Sequence, residues 1–142
     1  MATVRSLPDA ATPLGRRLRG ALPVVALVAW TLFVWVGRLR NIALDDELSG
    51  WSMLWRLGLA SAFVAAAGAT VVALVARPSA VAATARLLAV FGIVVWVIRG
   101  TDIALGDHSA AFIAVHTVLA VVTITLGVLV LRRPGVRPST GR

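Results

Sequence analysis

LGLASAFVAAAGATVVALVA, residues 57–76, decides the fold. It is a run of twenty residues without a charge, and at ~1.5 Å rise per residue a helix of that length covers the ~30 Å hydrocarbon core of a bilayer. Outward from it, residues 109–131 form a second long apolar run whose only ionisable group is His116, ending at Arg132-Arg133-Pro134. Residues 20–37 form a third, somewhat short, with Pro23 expected in its first turn, where a missing amide hydrogen does little harm. The fourth, residues 87–98, spans only if extended back to about Ala82, which holds Arg86 one turn inside and snorkelling towards the headgroups.

Lipid cannot satisfy a free backbone, so apolar runs joined by short connections predict spanning helices. The fold expected is an all-α membrane protein of four transmembrane helices in two tandem hairpins. Residues 1–19 read as a basic tail, 20–76 as the first hairpin, 77–81 as a turn, 82–131 as the second hairpin and 132–142 as a second basic tail. Arg16, Arg17 and Arg19 ahead of the first run superficially resemble a signal peptide, but no small-residue cleavage site follows, and an uncleaved first span is expected.

Composition agrees: 59% of the 142 residues are hydrophobic and 14% charged, far from a soluble balance. The absence of cysteine excludes disulfides, Cys-ligated zinc and thiol chemistry. All fourteen basic residues are Arg, and they gather at the ends of apolar runs, where they set orientation and meet anionic headgroups, so the net charge of +8 does not point to nucleic acid. Ten of them fall in the two tails and the 77–86 connection. The other two connections hold Arg38, Arg40, Arg56 and Arg99 alongside five of the six acids, Asp45, Asp46, Glu47, Asp102 and Asp107. The positive-inside rule then puts both termini in the cytoplasm of a plasma-membrane protein and the acidic connections outside.

A shift of 61 residues lays VWVGRLRNIALDD (34–46) over VWVIRGTDIALGD (95–107), with eight of thirteen positions identical. Trp35/Trp96, Arg38/Arg99 and Asp46/Asp107 are the matches that chance explains least. The pattern reads as a duplicated hairpin, both copies in the same orientation about an axis along the membrane normal. Trp35 and Trp96 are expected as anchors at the outer headgroups, with Asp46 and Asp107 capping the next helix.

The run from Trp96 through Asp107, with Phe112, Val115-His116, Leu119-Ala120 and Gly127, resembles the hairpin of small actinobacterial integral membrane proteins of unknown function. It covers about the C-terminal third of the chain and implies no activity. At the 61-residue shift the first copy has Trp55 where the second has His116.

Three groups of residues are candidates for function. Gly58, Ala62, Ala66 and Thr70, with the parallel row Ser61-Ala65-Ala69-Ala73, form small-residue stripes suited to close helix packing within the bundle, or otherwise to a pore or dimer face. His116, sharing a face with Ala120, Thr123 and Gly127, could relay protons or ligate haem or a metal; the plainer reading is a neutral imidazole bonded to a backbone carbonyl or a Thr. The outer cluster is Arg38, Asn41, Asp46, Glu47, Arg99, Asp102, Asp107 and His108, in which Arg99 and Asp102 stand at pairing distance along a helix. It is either an ordinary interfacial set of caps and ion pairs or a mouth able to hold an ion or an anionic solute. No nucleophile–base pair, phosphate loop or dinucleotide fingerprint is visible, so no catalysis and no cofactor are expected. The leading reading is a non-catalytic membrane protein that packs or assembles with itself or another membrane protein. The alternative is a small transporter or channel using the outer cluster, and burial of its charges in the bundle interior is what would favour it.

Overall fold

The computed structural model describes residues 13–45 and 50–133, with residues 13–19 as backbone alone. Asp46, Glu47 and the ends of both tails lie outside the described residues. Four long helices, α1 (Pro13–Ala43), α2 (Gly50–Ala76), α3 (Val81–Leu105) and α4 (Ala110–Leu131), account for nearly all the rest, with a 3₁₀ turn at Pro78–Ala80. The stretches Gly20–Ala43, Gly50–Ala76, Pro78–Leu105 and Ala110–Leu131 are each long and apolar enough to cross a membrane. The outer surface carries Val25 and Phe33 of α1, Val72 and Val75 of α2, Leu87 and Val94 of α3, and Val118 and Val121 of α4, all exposed. An apolar surface spread over every helix is untenable in water and at home in lipid. The chain is an all-α membrane protein of four helices.

The helices run past the apolar runs at both ends of α1, the start of α2 and the end of α3, and the cap of α4 differs from the one expected. α1 begins at Pro13 rather than Gly20, because Pro is well placed at the first helical position. Pro23 therefore lies in the helix interior, where its missing N–H leaves the Arg19 carbonyl without its usual donor. At the start of α4 the cap is Ser109, whose side chain accepts from the Phe112 amide at 3.3 Å. Asp107, expected to cap, stands two residues too early to do so.

α1 packs against α2 and α4, and so does α3, leaving α1 and α3 on one diagonal of the bundle. The buried face of α1 is Val24, Leu27, Val28, Thr31, Trp35 and Ile42; that of α3 is Ala85, Leu88, Ala89, Gly92, Trp96 and Ile103. Every position of the second set is the first plus 61. For the other two helices the correspondence is Phe63, Ala67 and Thr70 of α2 with Thr123, Gly127 and Val130 of α4, a shift of 60. One residue fewer therefore separates the buried faces of α3 and α4 than those of α1 and α2.

Small residues set the close approach of α3 and α4. A Cβ on Gly127 would stand 3.0 Å from the Ile93 side chain and 3.4 Å from the Ala89 carbonyl, and one on Gly92 would meet the Thr123 methyl at 3.2 Å. The expected stripe on α2 does not perform this role. Gly58 and Ala62 are exposed and Ala66 is half-buried, and of the four only Thr70 is buried, bonding the Ala66 carbonyl at 2.9 Å. Ser61, Ala65 and Ala69 of the parallel row are exposed as well. The face of α2 that enters the bundle is instead Ala60-Phe63-Ala67-Thr70-Ala73, selected by the bulk of Phe63 rather than by smallness alone.

A Cβ at Gly127 already crowds Ile93, whereas one at Gly58 meets nothing within 4 Å. Thermal melts in detergent should show Gly127→Val destabilised by about 1–3 kcal/mol and Gly58→Val near wild type.

Candidate functional site

The C-terminal ends of α1 and α3 and the N-terminal ends of α2 and α4 meet at the same end of the bundle. A cavity of about 370 Å³ opens there, within the ~300–1,000 Å³ range typical of small-molecule sites. All four helices line it, and their contributions correspond pairwise. α1 supplies Trp35 and Arg38 where α3 supplies Trp96 and Arg99, at the shift of 61. α2 supplies Trp55, Arg56 and Leu59 where α4 supplies Val115, His116 and Leu119, at the shift of 60. His116 thus corresponds to Arg56, not to Trp55 as a uniform shift of 61 implies, and the shorter second connection is the reason.

Arg38 and Arg99 are half-buried and turned into the bundle, although each lies inside a membrane-spanning stretch. A charge at that depth is costly against lipid, so it faces the interior or water. Arg99 and Arg56 both lie close enough to act on Arg38 by Coulomb repulsion. None of the three has a carboxylate partner among the described residues, and the expected pairing of Arg99 with Asp102 is not made. Asp102, Asp107 and His108 are exposed and do not line the cavity. Asn41 does line it from an exposed position, while Asp46 lies outside the described residues. The outer cluster therefore divides: its cations and Asn41 point to the cavity, and the described acids Asp102 and Asp107 remain at the rim.

The two tryptophans of the repeated block are not headgroup anchors. Trp35 is 7% exposed and stacks on Phe63 at 4.1 Å, with Phe63 stacked in turn on Phe91 at 4.2 Å. Trp96 is 5% exposed, and its indole Nε1 is buried without a hydrogen-bond partner. They lie inward because they precede Arg38 and Arg99 by one turn on the face that packs, so the arginine and the indole enter together. Trp51 and Trp55, exposed on the first turns of α2, occupy the position that interfacial aromatics favour.

One turn below the cavity the two halves differ. Phe63 of α2 bridges Trp35 and Phe91, whereas its counterpart on α4 is Thr123, which accepts from the Trp30 Nε1 at 3.0 Å and donates to the Leu119 carbonyl at 2.8 Å. Threonine is too small to stack on Trp96 as Phe63 stacks on Trp35. Trp96 is left with an unpaired donor and with His116 at 6.4 Å between ring centroids. His116 donates from Nδ1 to the Phe112 carbonyl at 2.9 Å, since a carbonyl can only accept. The ring also lies tilted against Phe112, with centroids 3.9 Å apart, and Phe112 lies tilted against His108 at 4.7 Å. No cluster of three or more metal-ligating side chains occurs among the described residues. What the cavity offers is three guanidinium groups, an amide, an imidazole and an aromatic floor, which suits a negatively charged guest.

Sequence reading missed Arg56 and Trp55 as members of the site. Arg56 was visible as the only charge between Glu47 and Arg77, but its correspondence with His116 depends on a one-residue change of register that the apolar helices do not reveal. Three like charges held together with no carboxylate partner among the described residues should destabilise the ligand-free protein. Arg38→Met, keeping the apolar stem, is expected to melt at or above the wild-type temperature at low ionic strength, and added sulfate should raise the wild type more than the variant. No family model, curated protein or solved structure matches this chain, so the site is read from its own geometry.

Proposed function

We propose that this chain is a small membrane carrier that takes up an anionic solute through the arginine-lined cavity at one face of the bilayer. The observation that carries this reading is the inward turn of Arg38 and Arg99 within spanning helices, where an interfacial pair of caps would face water. Correspondence of the buried faces at shifts of 61 and 60 supports descent from a duplicated hairpin, with Arg38 and Arg99 related by a pseudo-twofold axis along the membrane normal. A site on such an axis, at the junction of two repeats, is where carriers of duplicated architecture bind their substrates. The Trp35-Phe63-Phe91 stack and the buried Leu27 and Leu88 beneath it argue against a continuously open channel. A purely assembling protein, the leading reading from sequence, gives no account of interior arginines.

The test uses the indoles of Trp35, Trp55 and Trp96 as reporters. Titration of the purified protein in nonionic detergent with benzoate, sulfate or inorganic phosphate should give a saturable change in tryptophan emission for at least one anion. The same anion should enter proteoliposomes, and both signals should fall by roughly tenfold or more in Arg38→Gln/Arg99→Gln, the loss expected for a charge-assisted hydrogen bond. No saturable response to any anion, or an equal response in the variant, would discard the reading.

The arginine asymmetry supports cytoplasmic termini and a cavity that opens to the outside of the plasma membrane. The chain has no cysteine, so single substitutions report sidedness cleanly. In intact cells a membrane-impermeant maleimide should label Ser49→Cys and spare Ser79→Cys and Ser139→Cys; labelling at position 79 reverses the orientation.

A further inference from the structure

Anion binding alone does not account for the walls of the cavity. Beneath and beside the guanidinium groups the lining is apolar, and part of it is open to the side. Phe33 of α1 is 72% exposed and Val115 of α4 is 57% exposed, yet both line the cavity, as does the exposed Gly37. α1 and α4 are neighbours in the bundle, so these residues mark an opening at the α1–α4 seam, on the surface that meets lipid. At the equivalent seam, between α2 and α3, the counterpart of Val115 is the bulkier Trp55, itself 59% exposed, which lines this cavity and, with Phe91, a second groove. The second half of the molecule has a small residue where the first has a large one, which leaves more room at the α1–α4 seam for a guest to pass.

Resting on the anion-binding reading, we propose that the natural ligand is an anionic amphiphile, a phosphate-headed lipid, which enters sideways from the bilayer through the α1–α4 seam. Its headgroup meets Arg38, Arg56 and Arg99, and its hydrocarbon chain remains along Phe33 and Val115. A cavity of about 370 Å³ holds a phosphate headgroup with its glycerol but not two acyl chains, which must stay in the seam. Charge complementarity selects the headgroup: three cations without a carboxylate partner among the described residues discriminate against a zwitterion, whose own cation they repel. The buried indole N–H of Trp96, without a partner among the described residues, is an independent sign that this wall is built around a further polar group.

Native mass spectrometry of the protein from nonionic detergent, with phosphatidylglycerol, phosphatidylcholine or glycerol phosphate added, separates the possibilities. One phosphatidylglycerol should be retained per chain with at least about tenfold preference over phosphatidylcholine, the factor one charge-assisted bond supplies. That retention should be lost in Arg38→Gln/Arg99→Gln and in Val115→Trp, which closes the seam with the residue found at the equivalent place in the first half. Arg132→Gln, at the opposite end of the bundle, should keep it, which sets the site apart from lipid gathered by surface arginines. Val115→Trp rests on an exposed position, so it serves as a folded test even if the double arginine variant does not fold. If glycerol phosphate competes as well as the lipid, or Val115→Trp retains the lipid, the ligand comes from water: the amphiphile proposal fails while the anion-binding reading stands. Should neither lipid nor glycerol phosphate bind in an arginine-dependent way, the amphiphile proposal falls, and the anion-binding reading falls with it only where benzoate, sulfate and inorganic phosphate are silent as well.

Discussion

In lipid, every backbone polar group has to find its partner within its own helix, and every charge has to reach water or the bundle interior. That constraint orders the rest of this structure. It makes four helices of four apolar runs, leaves apolar side chains of every helix facing outwards, and fills the interior with small residues packed around a few large ones such as Trp35, Phe63 and Leu88. It also determines where Arg38 and Arg99 can go. Each lies inside a spanning stretch, and the cavity between the helices is where their guanidinium groups can be solvated.

The same constraint explains what the amino-acid sequence makes legible. Hydropathy alone identifies all four helices, because a run such as 57–76 has no soluble alternative. The boundaries are less visible: Pro13 and Pro23 both suit a first turn, and only the fold shows that α1 begins at the earlier one. Which face of a helix turns inwards is hidden almost entirely, since Val, Ala and Leu occupy both faces. The stripe Gly58-Ala62-Ala66 looks like a packing surface and lies largely outside, while Ala60-Phe63-Ala67 lies within. Arg38 and Arg99 could be singled out because two charges recur in register in apolar surroundings. Arg56 could not, because the register of the second helix pair slips by one residue and breaks the alignment that would have matched it to His116.

The two halves of the bundle share a scaffold but not its contents. Trp35 has Phe63 to stack on; Trp96 has Thr123, which is engaged by Trp30 instead. Arg56 corresponds to His116, and Trp55 to Val115, at the shift of 60. Each difference makes the second half smaller or more polar next to the cavity, so the first half supplies bulk and positive charge while the second supplies space and hydrogen-bonding capacity. The buried faces of α1 and α3, which match position for position, hold the helices in place around these differences.

The aromatic layer beneath the cavity also has an electrical consequence. Where water reaches Arg38 and Arg99 from one face, the apolar barrier that separates the two aqueous phases begins at Trp35, Phe63 and Phe91 rather than at the helix ends. A membrane potential falls across the region that excludes water, so most of the voltage drop lies below the arginines. A charge held beside them sits near the potential of the adjoining solution, and its arrival there moves little charge through the field. Any sensitivity to voltage would then belong to the passage of that charge through the aromatic layer and not to its capture.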